Sequence, residues 1–150
     1  HVGFIHGSPS GVVLKDDRPK SFPRYGTWTS NEFSFGYDLT EFIPSWNVTT
    51  PPDTGVWFSI STKDAESGEW SPWLYIGQWG RTLFDEPRPR EFAHGAVHVD
   101  NLVLDRPASA FKIRTKLQSF SLNKSVNPTI RRIAIVASGQ VNDPQHLGKI

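Results

Sequence analysis

The stretch TGVWFSISTKDAESGEWSPWLYIGQWG, residues 54–80, decides the fold and carries four of the chain's six tryptophans. Its first part alternates. Val56, Phe58 and Ile60 fall on one side of an extended chain, and Trp57, Ser59 and Ser61 on the other, because successive strand residues point to opposite faces. KDAESGE is a polar turn containing Gly68, and WSPWLYIGQW returns as a partner strand with Pro72 near its start. The spacing predicts a hairpin with a polar tip. The alternation also means that the tryptophans cannot all point inward.

Composition agrees with a chain built from short strands. Aromatic residues make up 13% of the 150 residues, and there are 12 prolines and 12 glycines. That mix suits strands and turns better than helices. One domain fits the length. The net charge of +1 supplies no global field for nucleic acid, so neither nucleic acid nor membrane insertion is expected as a partner. No run of 18 apolar residues occurs. Cysteine is absent, which removes disulfides and thiolate metal sites. There is no methionine either, so His1 reads as a processed terminus or the edge of an excised piece.

Outward from the hairpin, residues 1–24 read as a loose arm with one short strand at GVVLK, and residues 25–138 as the domain. Residues 139–150 read as a tail or linker. SNEFSFGYDL sets Phe33 and Phe35 on one face. FIPSWNVTTPPDTG, broken by prolines, reads as a crossing followed by a loop. GAVHVDNLVL reads as one strand over 97–104, with Val97 and Val99 opposite His98 and Asp100. AFKIRTKLQSF is the cleanest strand, with Phe111, Ile113, Thr115 and Leu117 inward and Lys112, Arg114, Lys116 and Gln118 outward. TIRRIAIVAS reads as a last, central strand. Strands at this spacing predict an all-β, mainly antiparallel β-sandwich of jelly-roll type.

Several pieces carry a resemblance: TWTS (27–30), PSWN (44–47) followed by TPPDTGV (50–56), GEWSPWLYIGQWG (68–80), VDNLVL (99–104) and RRIAIVAS (131–138). Together they cover residues 26–138. They resemble the β-rich accessory region that precedes the peptidase domain in bacterial papain-like cysteine peptidases of the double-glycine-leader type. The resemblance implies an exported, multidomain bacterial origin, extracellular or at the cell surface, with a neighbouring domain in the parent chain. It does not imply peptidase activity, since the catalytic cysteine would lie in another domain. The pattern is also similar at the level of fold to carbohydrate-binding β-sandwich modules, an analogy that carries no function by itself.

The residues offer little catalytic chemistry. No G-x-S-x-G occurs. His94 and His98 are four apart but lack the glutamate of H-E-x-x-H, and on a strand they would lie about 13 Å apart. His1 at a mature terminus could chelate copper with His94 or His98 as a second imidazole, but a chain boundary explains it more simply. Asp85, Glu86 and Asp100 are the carboxylates that a glycoside hydrolase would need to pair. A polysaccharide-active enzyme, by copper or by carboxylates, is therefore the alternative reading, and no cofactor or metal is expected.

The aromatic residues offer more. Trp28, Trp46 and Trp70 sit beside turns and apolar neighbours, which suits core or corner packing. Trp57 has serines beside it on its face. Trp73, Tyr75 and Trp79 fall at even offsets and share one face unless a bulge intervenes, although the motifs around Trp73 and Trp79 also suit a core. Lys112, Arg114 and Lys116 form a basic row, which alone is usually a solvated face. Together Trp57, Trp73, Tyr75, Trp79, His98, Lys112, Arg114 and Lys116 make a candidate surface for a polysaccharide, acidic if the basic row takes part. Rings stack on sugar C–H faces while the cations donate directed hydrogen bonds. A module that only packs against a neighbouring peptidase domain is the third reading.

Overall fold

The structure, a computed structural model, describes residues 12–13, 24–80 and 89–139. Among these residues there are nine strands and no helix. They are β1 (Val12–Val13), β2 (Arg24–Thr29), β3 (Leu39–Thr49), β4 (Thr54–Asp64), β5 (Leu74–Gly80), β6 (Glu91–Phe92), β7 (Gly95–His98), β8 (Asn101–Ser119) and β9 (Thr129–Ser138). Every pairing is antiparallel. The all-β, antiparallel, sandwich-like architecture expected from the alternation is what the chain adopts.

The 19-residue β8 organises the rest. Its first part pairs with β7 on one side and β3 on the other, and β3 continues to β9 and β1. From Ala108 onward β8 pairs with β4, and from Arg114 also with β2, while β4 continues to β5. One strand thus belongs to two layers. Between them its register against β3 slips, from Val103 opposite Glu41 to Ala108 opposite Leu39. A second shift occurs at Lys63/Asp64 of β4. Irregularities of this kind bend a strand and let it change sheets.

The sheet folds over at this corner and encloses one core. Phe42 of β3 meets Phe111 of β8 edge-on with centroids 5.2 Å apart, and Trp46 stacks on Phe58 of β4 at 4.4 Å. Phe33 and Phe35, predicted to share a face, both pack on Phe111, at 5.6 and 5.8 Å. Val56, Phe58, Ile60, Phe111, Ile113, Thr115, Leu117, Ile133 and Ile135 are buried, as the alternation requires. Ile130 is buried too, three residues before Ile133. A bulge makes this possible: Asn47 pairs with Arg132 and Val48 with Ile130, which leaves Arg131 as the extra residue.

Four local readings need correction. The segment 39–49 is a strand rather than a crossing and loop. Phe42 pairs with Leu102, near the start of β8, so Pro44 lies beyond β8 and its missing N–H interrupts no ladder on that side. Residues 97–104 are not one strand, because His98 pairs with Asn101 and makes Val99–Asp100 a two-residue turn. Val99 has φ 61° and is 87% exposed instead of sharing a strand face with buried Val97. Such turns need positive φ at a central residue, and alternation cannot reveal this when valine occupies it. Among the described residues β9 pairs along its length with β3 and at two residues with β1, which places it towards the end of the strand order rather than at its centre. Finally, the strand around 111–118 is one half of β8.

The polar tip of residues 63–69 forms as expected. Asp64 Oδ2 accepts from the N–H groups of Glu66 and Ser67 at 3.2 and 2.7 Å, and Gly68 takes φ 73°. GVVLK contributes Val12–Val13, which pair with Ile130 and Thr129. Arg24 of the expected arm opens β2, while its residues 1–11 and 14–23, Asp85, Glu86 and residues 140–150 of the expected tail lie outside the described residues.

Gly77 marks how closely the two layers meet. A Cβ placed there would come within 2.3 Å of the Trp46 ring, which itself lies on Phe58. Gly77→Val should therefore destabilise the domain by about 1–3 kcal/mol in equilibrium denaturation. An unchanged midpoint would mean that Trp46 is not held between the layers.

Candidate functional site

The outer face of the β2–β8–β4–β5 layer is set by the same alternation that builds the core. Where Phe111, Ile113, Thr115 and Leu117 point in, Lys112, Arg114 and Lys116 must point out. Register places Trp57 and Thr27 on either side of Lys116, and Ser59 and Thr29 on either side of Arg114. Tyr75 pairs with Ser59. The basic row therefore runs up the middle of the layer between aromatic and hydroxyl neighbours.

Cations and rings interleave there. Lys112 Nζ lies 4.0 Å from the Trp70 ring centre and 5.9 Å from that of Trp73, and the Arg114 guanidinium lies 4.1 Å from Trp73. Lys116 sits between Trp57 and Tyr25, at 4.8 and 4.9 Å. Lys63 approaches Trp70 and Arg90 approaches Tyr75, at 5.9 and 5.7 Å. Each contact is within cation–π range and contributes about 0.5–1 kcal/mol when exposed. Lys63 also meets Glu32 at 3.7 Å, and Arg114 Nε donates to Thr29 Oγ1 at 3.4 Å.

The structure thus brings together six of the eight residues singled out from sequence: Trp57, Trp73, Tyr75, Lys112, Arg114 and Lys116. Trp70 joins them instead of packing in the core. Its pairing with Lys63 across the hairpin puts it on the outer face. Tyr25 is a member that the sequence reading missed. The signal was its even spacing from Thr27 and Thr29 on β2, a strand whose partner only the fold reveals.

Trp79 and His98 stand apart. Phe58 pairs with Gly77 but Ser59 with Tyr75, so Ile76 is an extra residue in β5. That bulge turns the even-offset series over. Trp79 pairs with core residue Val56 and lies at the rim of the inner face, 58% exposed. His98 is exposed opposite Asn101 at the far end of β8, and Asn101 precedes Lys112 by eleven residues, roughly 35 Å along the strand.

A second feature lies where β8 changes layers. Arg106 Nη2 donates to Asp64 Oδ2 at 2.8 Å and to Glu66 Oε2 at 3.1 Å, while Nη1 is 3.3 Å from His94 Nε2. Arginine can only donate, so a hydrogen bond here needs Nε2 as the acceptor, and the other ring nitrogen, Nδ1, lies 3.9 Å from Asp105 Oδ1. The backbone N–H of Ser67, and with it Arg106, hold the Asp64 carboxyl below its ordinary pKa. Asp64, Ser67, His94 and Arg106 border a cleft of about 190 Å³. Among the described residues no three His, Asp or Glu side chains cluster as metal ligands.

A lowered folded-state pKa favours the ionised form in the folded protein. Asp64 should therefore add stability above the ordinary aspartate range, and that contribution should disappear as pH falls through its folded value. Asp64→Asn should be less stable than the parent at neutral pH, and the gap should close on acidification. A gap that stays constant down to acid pH would show that the charge contributes nothing.

No curated protein and no solved structure matches the chain. The sequence profile of one family, described as Peptidase C39 N-terminal domain, matches residues 7–138. That range takes in both layers and every residue of this ladder of interleaved cations and rings on the outer face, and by it the chain belongs to the Peptidase C39 N-terminal domain family.

Proposed function

We propose that the domain is a non-catalytic binding module of an exported, multidomain bacterial protein. In this reading the ladder face holds an acidic polysaccharide at a cell surface or in a matrix. The family supports a neighbouring peptidase domain in the parent chain as the module's covalent partner. One observation carries the ligand reading: five cations, Lys63, Arg90, Lys112, Arg114 and Lys116, each lie against a ring of the same outer face.

This arrangement favours an anionic polymer with apolar ring faces. Lysine and arginine side chains normally lose about 2 kcal/mol of rotamer freedom when fixed. Resting on rings, they have given up part of that freedom before a ligand arrives, which lowers the cost of binding. Ammonium and guanidinium groups then meet carboxylates through charge-assisted hydrogen bonds. The exposed ring edges and the serine and threonine hydroxyls between them meet sugar C–H and O–H groups. The same ingredients suit single-stranded nucleic acid, but the chain's net charge of +1 gives little of the long-range attraction that such ligands use.

A second reading, docking on the neighbouring peptidase domain, draws on the opposite layer. Ile43 and Val103 are 40% and 41% exposed there, and Val103 pairs with Glu41, which shares the face of Ile43.

The chain should bind immobilised polygalacturonate and not neutral dextran, with affinity falling as salt is raised. Arg114→Ala and Trp73→Ala should each weaken binding by about 1–3 kcal/mol. Trp57→Ala should weaken it too while changing stability by less than about 1 kcal/mol. Equal retention on dextran, or none on either polymer, contradicts the reading. Global unfolding by Trp57→Ala would assign that ring to packing.

A further inference from the structure

We propose that the cleft beside the ladder is a subsite for one neutral sugar ring, the terminal unit of a polymer lying on the ladder face. The inference rests on the polysaccharide reading for the polymer, but its chemistry comes from separate residues. The cleft is walled by Trp70 and Phe92 and bordered by Asp64, Glu69, His94 and Arg106. Its volume of about 190 Å³ is below the roughly 300–1,000 Å³ of pockets for drug-sized ligands, so it fits a single ring.

The polar groups specify neutrality. Asp64 uses Oδ2 for the N–H groups of Glu66 and Ser67 and for Arg106. Its Oδ1 takes no part in those three bonds and offers an acceptor. Arg106 Nη1, engaged among the described residues only at 3.3 Å with His94, offers a donor from the same ion pair. An acceptor and a donor held side by side match adjacent hydroxyls, one donating to the carboxylate and the next accepting from the guanidinium. A free anion would face Asp64 and Glu69, and a free cation would face Arg106. Trp70 and Phe92 supply apolar surface for the C–H side of the ring.

Trp70 also explains why this would be the end of a longer site. Its ring forms part of the cleft wall and also lies under Lys112, the first cation of the row that continues through Arg114 to Lys116. A polymer that follows the row reaches the cleft at the hairpin tip. There Arg106 bonds the tip residues Asp64 and Glu66.

The test is titration of the isotopically labelled 150-residue chain with methyl glucoside, methyl galactoside and N-acetylglucosamine, followed by amide and indole N–H shifts. At least one should give saturable, millimolar binding centred on Ser67, His94 and the Trp70 indole. Glu69→Ala, which removes one of the two carboxylates that a bound anion would face, should narrow the preference for the neutral sugars over glucuronate. Ala93→Trp, which adds bulk at the cleft wall and removes no contact used here, should abolish monosaccharide binding. Glucuronate should bind more weakly than the neutral sugars. Absence of saturable shifts, indifference to Ala93→Trp or equal binding of glucuronate overturns the proposal. The paired variant Arg114→Ser/Lys116→Ser separates the two readings. It should lose the acidic polymer and retain the monosaccharide. Loss of monosaccharide binding in that variant, with the fold intact, would deny the cleft an independent site. Polymer binding by a parent chain that binds no monosaccharide sinks the subsite and leaves the module's proposed function standing.

Discussion

The structure depends on one strand serving two layers. β8 pairs with β7 and β3 over its first part, and with β4 and β2 over its second. Because its inward residues are fixed by the core, its outward residues have no freedom of placement. Burying Phe111, Ile113 and Leu117 aligns Lys112, Arg114 and Lys116 in one row. The flanking strands then bring rings to that row by register alone. Core and candidate site are two faces of the same constraint, and a one-residue slip of β8 would destroy both.

The corner where β8 changes layers is held by charge. Arg106 ties the strand to the β4–β5 hairpin through Asp64 and Glu66 and reaches His94 on the other side. Ala65 N–H also donates to the Pro107 carbonyl at 3.0 Å, and Asp105 N–H to that of His94 at 2.9 Å. These contacts close the gap left by the register slip and shape the cleft there. As a member of the Peptidase C39 N-terminal domain family, the chain presents its cationic, aromatic face on one layer and its exposed Ile43 and Val103 on the other.

Much of this was legible in the sequence, and the misses have physical causes. Alternation along 56–61 and 111–117 identified the core face and the basic row, because burial of one face is a period-two signal. The hairpin tip was legible from Gly68 and the polar run around it. Trp79 was placed on the wrong face because a bulge at Ile76 adds one residue to β5, and bulges leave no mark on alternation until the partner strand is known. Val99 was placed on a strand face with Val97 because valine rarely takes the positive φ of a turn. Trp70 looked like packing because its role depends on Lys112, more than forty residues away in sequence. Tyr25 was overlooked for the same reason. The Arg106–Asp64 link, 42 residues apart, is likewise a product of the fold and of no local motif.

The claim that β8 joins both layers into one cooperative unit is open to native-state hydrogen exchange. Core strands exchange only on global unfolding, whereas separable units open at lower cost. The account predicts that the slowly exchanging amides of β8 on both sides of the corner, in residues 101–104 and 111–117, share one opening free energy equal to that of global unfolding. They should also respond alike to denaturant. Two distinct opening free energies, with the 101–104 part exchanging while 111–117 stays protected, would contradict it and make the two layers independent folding units.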